Sequence, residues 1–251
     1  MLLYALVFAY LTVVLVGVFL SDKLIFQPQR SSYKDSSEIL KLQTAGGDKI
    51  SAMYLANPQA KFTILYSHSN AEDIGDLRPW LEQLRSAGFS VFAYDYAGYG
   101  TSEGTPSEKN VYSDAEAAYG YLTGTVHVAP ENIISYGRSV GNGASIDLAS
   151  RQPVGGLIVQ SGFTSAFVVL TKVPLVPFDK FRNISKIRHV NCPALVIHGR
   201  VDPLVGLSGG EATAKAIPGA EFLVLDEMGH DVPLPLIPEI VGAIAKVAAR
   251  A

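Results

Sequence analysis

Six short runs in this chain, FTILYSH (62–68), FSVFAYDY (89–96), NIISYG (132–137), GLIVQSG (156–162), ALVIHG (194–199) and EFLVLD (221–226), are almost unbroken in apolar residues. A strand with one wet face alternates polar and apolar side chains, so an unbroken run marks a strand covered on both faces. Between the runs, Asp76 to Ala87, Ser107 to Leu122, Ser139 to Ser150 and Ser208 to Ile217 carry helix-compatible patterns. In the last segment Ile240, Val241, Ile244, Val247 and Ala248 share one helical face. Ahead of the alternation, EILKLQT and KISAMYLA flank Ala45-Gly46-Gly47-Asp48 and read as a hairpin. Strand followed by helix, repeated, predicts an α/β fold: a mostly parallel sheet with helices on both faces.

In such sheets ligands bind beyond the carboxyl ends of the strands, so the residues just after the runs carry the functional signal. His68-Ser69-Asn70, Ser139, Asp202 and His230 each occupy such a position. Ser139 lies in Gly137-Arg138-Ser139-Val140-Gly141, between a predicted strand and a predicted helix, where G-x-S-x-G raises a hydroxyl on a sharp turn. A serine hydroxyl is a weak nucleophile at neutral pH. It needs a base to take its proton and a carboxylate to orient that base. Asp202 and His230 follow Ser139 in the order this arrangement requires, each after its own strand. Asp226 and Asp231 are rival carboxylates, but Asp231 adjoins His230 in sequence and Asp226 closes a strand. For the developing oxyanion, the expected donors are the backbone N–H of Val140, at a helix start, and Asn70, in the loop after FTILYSH.

Composition narrows the remaining classes. A net charge of -3 supplies no basic excess for phosphates, so no nucleic-acid partner is expected. The five histidines are scattered and the single cysteine, Cys192, is isolated, so no metal site is expected, and Cys192 reads as a buried core residue. The glycines at Gly98, Gly100 and Gly104 miss the dinucleotide spacing. The chemistry assigned to Ser139, Asp202 and His230 requires no cofactor.

Residues 1–20, MLLYALVFAYLTVVLVGVFL, hold no charge and match the ~20 apolar residues that cross a bilayer core. They read as a retained transmembrane anchor rather than a cleaved leader, having no basic start and no small-residue cleavage pattern before Ser21. Lys23, Arg30 and Lys34 follow the span and weight the body toward the cytoplasmic side; on the other side, Asn183-Ile184-Ser185 would be a glycosylation sequon. The expected organisation is an anchor at 1–20, a polar linker at 21–35 and one catalytic domain at 36–251. Oligomeric state is not written in the sequence.

SHSNAED, YDYAGYGTSEG, GRSVGNG, HGRVDPLV and MGHD together resemble the successive landmarks of the α/β-hydrolase superfamily, over about Phe62 to Val232. LYSHSNAEDIG, PSEKNVYSDAEAAYGYL, PENIISYGRS and IDLASR resemble, within it, the palmitoyl-protein thioesterases and their transmembrane-anchored relatives. The resemblance implies cleavage of an ester or thioester, with Ser139, Asp202 and His230 in the catalytic positions and Asp95 bracing a loop. A lipid or an acylated protein is the substrate class in view. Two departures stand out: Ser69 replaces the usual glycine after the loop histidine, and an apolar span replaces the cysteine-rich amino terminus of the soluble thioesterases. The segment from Phe163 to Pro193, where the fold often inserts a cap, is short. Its apolar residues Phe163, Phe167, Val168, Val169, Leu170, Leu175, Val176 and Phe178 either line an acyl groove or pack a short helix on the core. The competing class is a non-catalytic hydrolase-fold protein that displays the same rim to a partner.

Overall fold

A computed structural model of the chain describes residues 1–171, 176–232 and 236–250, with Leu170 described in its backbone only. Two helices open it, α1 (Leu2–Phe19) and α2 (Ser21–Ile25). The hairpin follows as β1 (Ile39–Gln43) and β2 (Lys49–Leu55), antiparallel, with Ile39 opposite Met53 and Gln43 opposite Lys49. Then come β3 (Thr63–Ser67), α3 (Arg78–Ser86), β4 (Ser90–Tyr94), α4 (Glu108–Gly124), β5 (Ile133–Arg138), α5 (Gly141–Arg151) and β6 (Gly156–Gln160). The short α6 (Ala166–Thr171) and α7 (Asn183–Ile187) precede β7 (Ala194–Gly199), α8 (Leu207–Ala216), β8 (Glu221–Leu225) and α9 (Ile237–Ala248). The eight strands form one sheet in the order β1-β2-β4-β3-β5-β6-β7-β8. It is parallel from β4 through β8; only β2 runs against its neighbours β1 and β4.

This is the α/β-hydrolase fold. The unbroken apolar runs are explained by what covers them. Successive side chains of a strand point to opposite faces, and here each face meets helices. Ile64, Tyr66, Ile134 and Tyr136 pack with Leu81 and Leu84 of α3 and Ile240, Ile244 and Val247 of α9. Leu65, Phe92 and Ile133, one step along, pack with Val111, Ala115 and Leu122 of α4 and Leu148 of α5. β6 and β7 complete a third cluster with Ile146 of α5 and Ile217, which closes α8. A local signal starts α4: the Ser107 hydroxyl accepts the Asn110 N–H at 3.1 Å, a cap worth about 1 kcal/mol.

Three differences from the expected layout have physical causes. The helix after Ser139 begins at Gly141, because residues 139–140 form the turn itself. Cys192 is half-buried at the edge of the third cluster, and burial lifts its thiol to about 11. The third concerns residues 21–35, expected as a linker, which are packed along the body. Phe26 is buried edge-on against Phe181, the Ser32 hydroxyl and N–H both donate to Asp73, and the Tyr33 hydroxyl donates to Asp95 at 2.5 Å. α1 is apolar all round, with a mean hydropathy of 2.5 and none of its length buried. It is one helix long and apolar enough to cross a membrane.

Candidate active site

The sharp turn at Ser139 is built from backbone constraints. Ser139 has φ +52°, the left-handed region that costs a non-glycine residue about 1–3 kcal/mol. The neighbouring strand holds it there: the Ser139 N–H donates to the Gln160 carbonyl at 3.0 Å and the Asn142 side-chain amide to the same oxygen at 2.8 Å. Gly141 lets α5 start directly against β3, since a Cβ there would sit 2.7 Å from the His68 carbonyl oxygen and closer still to that of Ser67. Both obstacles are backbone and cannot swing aside. Gly141→Ala is therefore expected to lower stability by about 1–3 kcal/mol through overpacking and to cut hydrolysis by displacing Ser139, measured as the urea midpoint beside ester turnover.

Loops from four strand ends meet at this turn. His230, in the loop after β8, places Nε2 2.8 Å from Ser139 Oγ and Nδ1 2.8 Å from Asp202 Oδ2. Gly199 admits that loop, because a Cβ there would collide with the Met228 and Gly229 carbonyls. The other oxygen of Asp202 accepts the Leu204 and Val205 N–H groups at 2.9 and 3.1 Å. Burial alone would raise the Asp202 carboxyl. The His230 hydrogen bond and these two amides outweigh it and hold the group at about 2. An ionised carboxylate only accepts, so Nδ1 carries the imidazole proton and Nε2 is left to accept from the Ser139 hydroxyl. A hydroxyl so placed can be deprotonated as it attacks.

The rival carboxylates are engaged elsewhere. Asp226 pairs with Arg200 at 2.5 Å and Asp231 pairs with Arg138. Arg138, next to the serine, also reaches Glu72 at 3.2 Å, and Glu72 accepts the Ser69 N–H at 2.7 Å. One guanidinium thus ties the loop after β3 to the loop carrying His230. Sequence reading missed this strut, whose signal was an arginine inside G-x-S-x-G. His198, in β7, lies buried with Nε2 3.6 Å from Asp202 Oδ2, and burial lowers its pKa so that it stays neutral.

Asn70 and Val140 line, with Ser139, a cavity of about 300 Å³. Among the described residues neither backbone N–H has a hydrogen-bond partner. The Asn70 side chain has a separate task. Its amide donates to the Ile25 carbonyl at 2.6 Å, and its oxygen accepts the Gln27 N–H at 3.0 Å and the Tyr99 hydroxyl at 2.5 Å. The loop keeps its course with Ser69 in place of glycine: the Tyr96 hydroxyl donates to the His68 carbonyl at 2.6 Å and Ala71 takes φ +58°. Beneath it, Asp95 accepts the Ile74 N–H at 2.9 Å, and burial lifts its carboxyl to about 7. His68, also buried, is held down at about 4 and is neutral.

The apolar segment after β6 divides between the two readings. Phe163 and Val169 line the serine cavity, while Phe163 is also part of the core over α4 and α5. Phe167 packs edge-on against Phe178 at 6.0 Å, and Leu175 lies outside the described residues.

Residues 58–174 match the sequence family described as serine aminopeptidase, S33. The human alpha/beta hydrolase domain-containing protein 17B is 41% identical over 187 residues, covering 72% of this chain and 65% of its own length. The mouse alpha/beta hydrolase domain-containing protein 17C is 39% identical over 204 residues, covering 78% of this chain and 63% of its own. The chain therefore spans a little under two thirds of these relatives. Among solved structures, an esterase of Pyrococcus furiosus superposes with a TM-score of 0.75 at 19% identity, covering 89% of this chain and 98% of the esterase.

Proposed function

We propose, from the premise that this chain belongs to the α/β-hydrolase superfamily, that it is a bilayer-anchored serine hydrolase that cleaves an acyl ester or thioester through an acyl-enzyme. The observation that carries the reading is the continuous relay from Ser139 Oγ to His230 to Asp202, each step 2.8 Å. Ser139 attacks the acyl carbonyl while His230 Nε2 takes its proton. The oxyanion is received by the N–H groups of Val140 and Asn70. His230 then gives the proton to the departing alkoxide or thiolate as the acyl–oxygen or acyl–sulfur bond breaks. A water next loses its proton to His230 Nε2 and attacks the acyl-serine. The tetrahedral adduct collapses, Ser139 recovers the proton, and the carboxylic acid leaves.

Anchoring is supported by α1, whose 18 residues rise about 27 Å, close to the ~30 Å bilayer core, with the flanking Met1 and Leu20 making up the difference. Residues 1–20 are the anchor, 36–251 the catalytic domain, and the basic residues after the span weight the domain to the cytoplasmic side. An acyl chain of a lipid or of an acylated protein suits a serine cavity walled by Phe163, Ala166, Val169 and Phe181. A fluorophosphonate probe applied to the full chain tests the reading. Wild type is expected to be labelled and Ser139→Ala not, with hydrolysis of p-nitrophenyl butyrate lost in parallel. Equal labelling of both, or of neither, would sink the nucleophile assignment.

A further inference from the structure

The serine cavity borrows one wall from the anchor's own stem. Leu24 and Ile25 of α2 line the cavity that holds Ser139. The same two residues line a second, largely apolar cavity of about 130 Å³, whose walls include Val13 and Val16 of α1, Phe167 of α6 and Val176. α6 also serves both spaces, turning Ala166 and Val169 to the first and Phe167 to the second. α1 can come this near because of Gly17: a Cβ there would lie 3.1 Å from Phe178 and 3.5 Å from Phe167. The stem is fixed in this place by the Asp22–Lys180 ion pair at 3.1 Å, by buried Phe26, and by the Asn70 side chain gripping Ile25 and Gln27.

We infer that the space between α1 and α6 seats the acyl chain of the substrate, so that the anchor is a wall of the binding site as well as a tether. The inference rests on the reading of Ser139 as the nucleophile and adds the route its acyl group takes. With the carbonyl at Ser139, the methylenes pass Leu24 and Ile25 and reach Val13 and Val16, where the helix enters the bilayer. The walls of the second cavity are apolar apart from the hydroxyls of Ser21 and Thr171, so an alkyl chain is the ligand that most of the path suits. Each methylene buried there multiplies affinity about fourfold. An acyl chain also needs no passage through water, since the outer end of the groove is the membrane-facing helix itself.

The test uses the full chain in phospholipid nanodiscs. Val16→Trp and Leu24→Trp fill the groove, and each is assayed on p-nitrophenyl butyrate and p-nitrophenyl laurate. The ratio of kcat/KM, laurate over butyrate, is expected to fall about tenfold or more in both variants. Leu6→Trp, on α1 but outside the groove, keeps the wild-type ratio. Fluorophosphonate labelling of each variant checks that the serine turn is still formed. A second measurement is independent of turnover: a diazirine-bearing fatty acid photolabels Ser139→Ala, and the labelled peptides are expected to span residues 13–25 and α6, with laurate competing. An unchanged ratio in both groove variants, with butyrate hydrolysis and Ser139 labelling retained, overturns the groove and leaves the hydrolase reading standing. Photolabelling confined to these segments, together with a wild-type chain that hydrolyses neither ester and takes no fluorophosphonate, upholds the groove and removes the nucleophile reading instead.

Discussion

Ser139→Ala is expected to lower kcat on the order of 10⁶-fold, and Ser139→Gly equally, while the glycine variant is the more stable of the two. Both variants lose the hydroxyl and its contact with His230 Nε2, so that loss cancels between them. What remains is the backbone. Ser139 sits at φ +52°, where a Cβ costs about 1–2 kcal/mol and glycine pays no such cost. Glycine gives back about 0.4–1 kcal/mol through the greater freedom of its unfolded chain. The net expectation is a gain of about 0.5–1 kcal/mol for glycine over alanine, read from urea midpoints of the two variants side by side. Under the proposed mechanism the strain falls on the residue that attacks the substrate, and the same turn lifts its hydroxyl toward the imidazole. Equal midpoints would mean that the turn stores no strain.

What the sequence disclosed follows from where its constraints are local. β3 to β7 were legible because burial on both faces leaves few polar positions in the runs, and β8 because its run is apolar after Glu221 although it is only partly buried; their carboxyl ends lead into the loops that hold Ser139, Asp202 and His230. Residues 21–35 were not legible as structure. Their polar composition reads as a solvated connector, while their fixed position comes from single anchors, Phe26 in a pocket by Phe181 and Tyr33 on Asp95, whose partners lie far along the chain. The task of the Asn70 side chain was hidden for the same reason: its partners Ile25, Gln27 and Tyr99 are distant in sequence. Arg138 was visible as a charge beside Ser139, yet nothing local says that Glu72 and Asp231 converge on it. The division between core and groove after β6 depends on how closely α1 approaches, which Gly17 and the two phenyl rings decide.

Asp202→Asn is expected to lower kcat/KM by about 10⁴-fold with the fold retained. The carboxylate accepts the Nδ1 proton of His230, which keeps Nε2 free for the Ser139 hydroxyl; an amide nitrogen at that position would donate instead and favour the opposite tautomer. The Leu204 and Val205 amides hold Oδ1, so the carboxamide is steered to keep its oxygen there and turn its nitrogen toward His230. Neighbouring His198 offers no relief, because burial keeps it neutral and it sits 3.6 Å from the carboxylate. The same substitution carries a second signature in stability. The folded carboxyl is held at about 2 against an ordinary value of 3.8, so its contribution is fully present above the ordinary value and is lost as pH falls toward and through 2. That contribution is on the order of 1–2 kcal/mol after solvent screening. Asp202→Asn should therefore show a shallower decline in urea midpoint than wild type between about pH 4 and pH 2. A rate loss with the wild-type pH slope would separate the tautomer effect from the charge. It would locate the acid-sensitive stability in another carboxylate held low in the fold, such as Asp73, whose carboxyl its hydrogen bonds to Ser32 hold below the ordinary range against the opposing effect of burial.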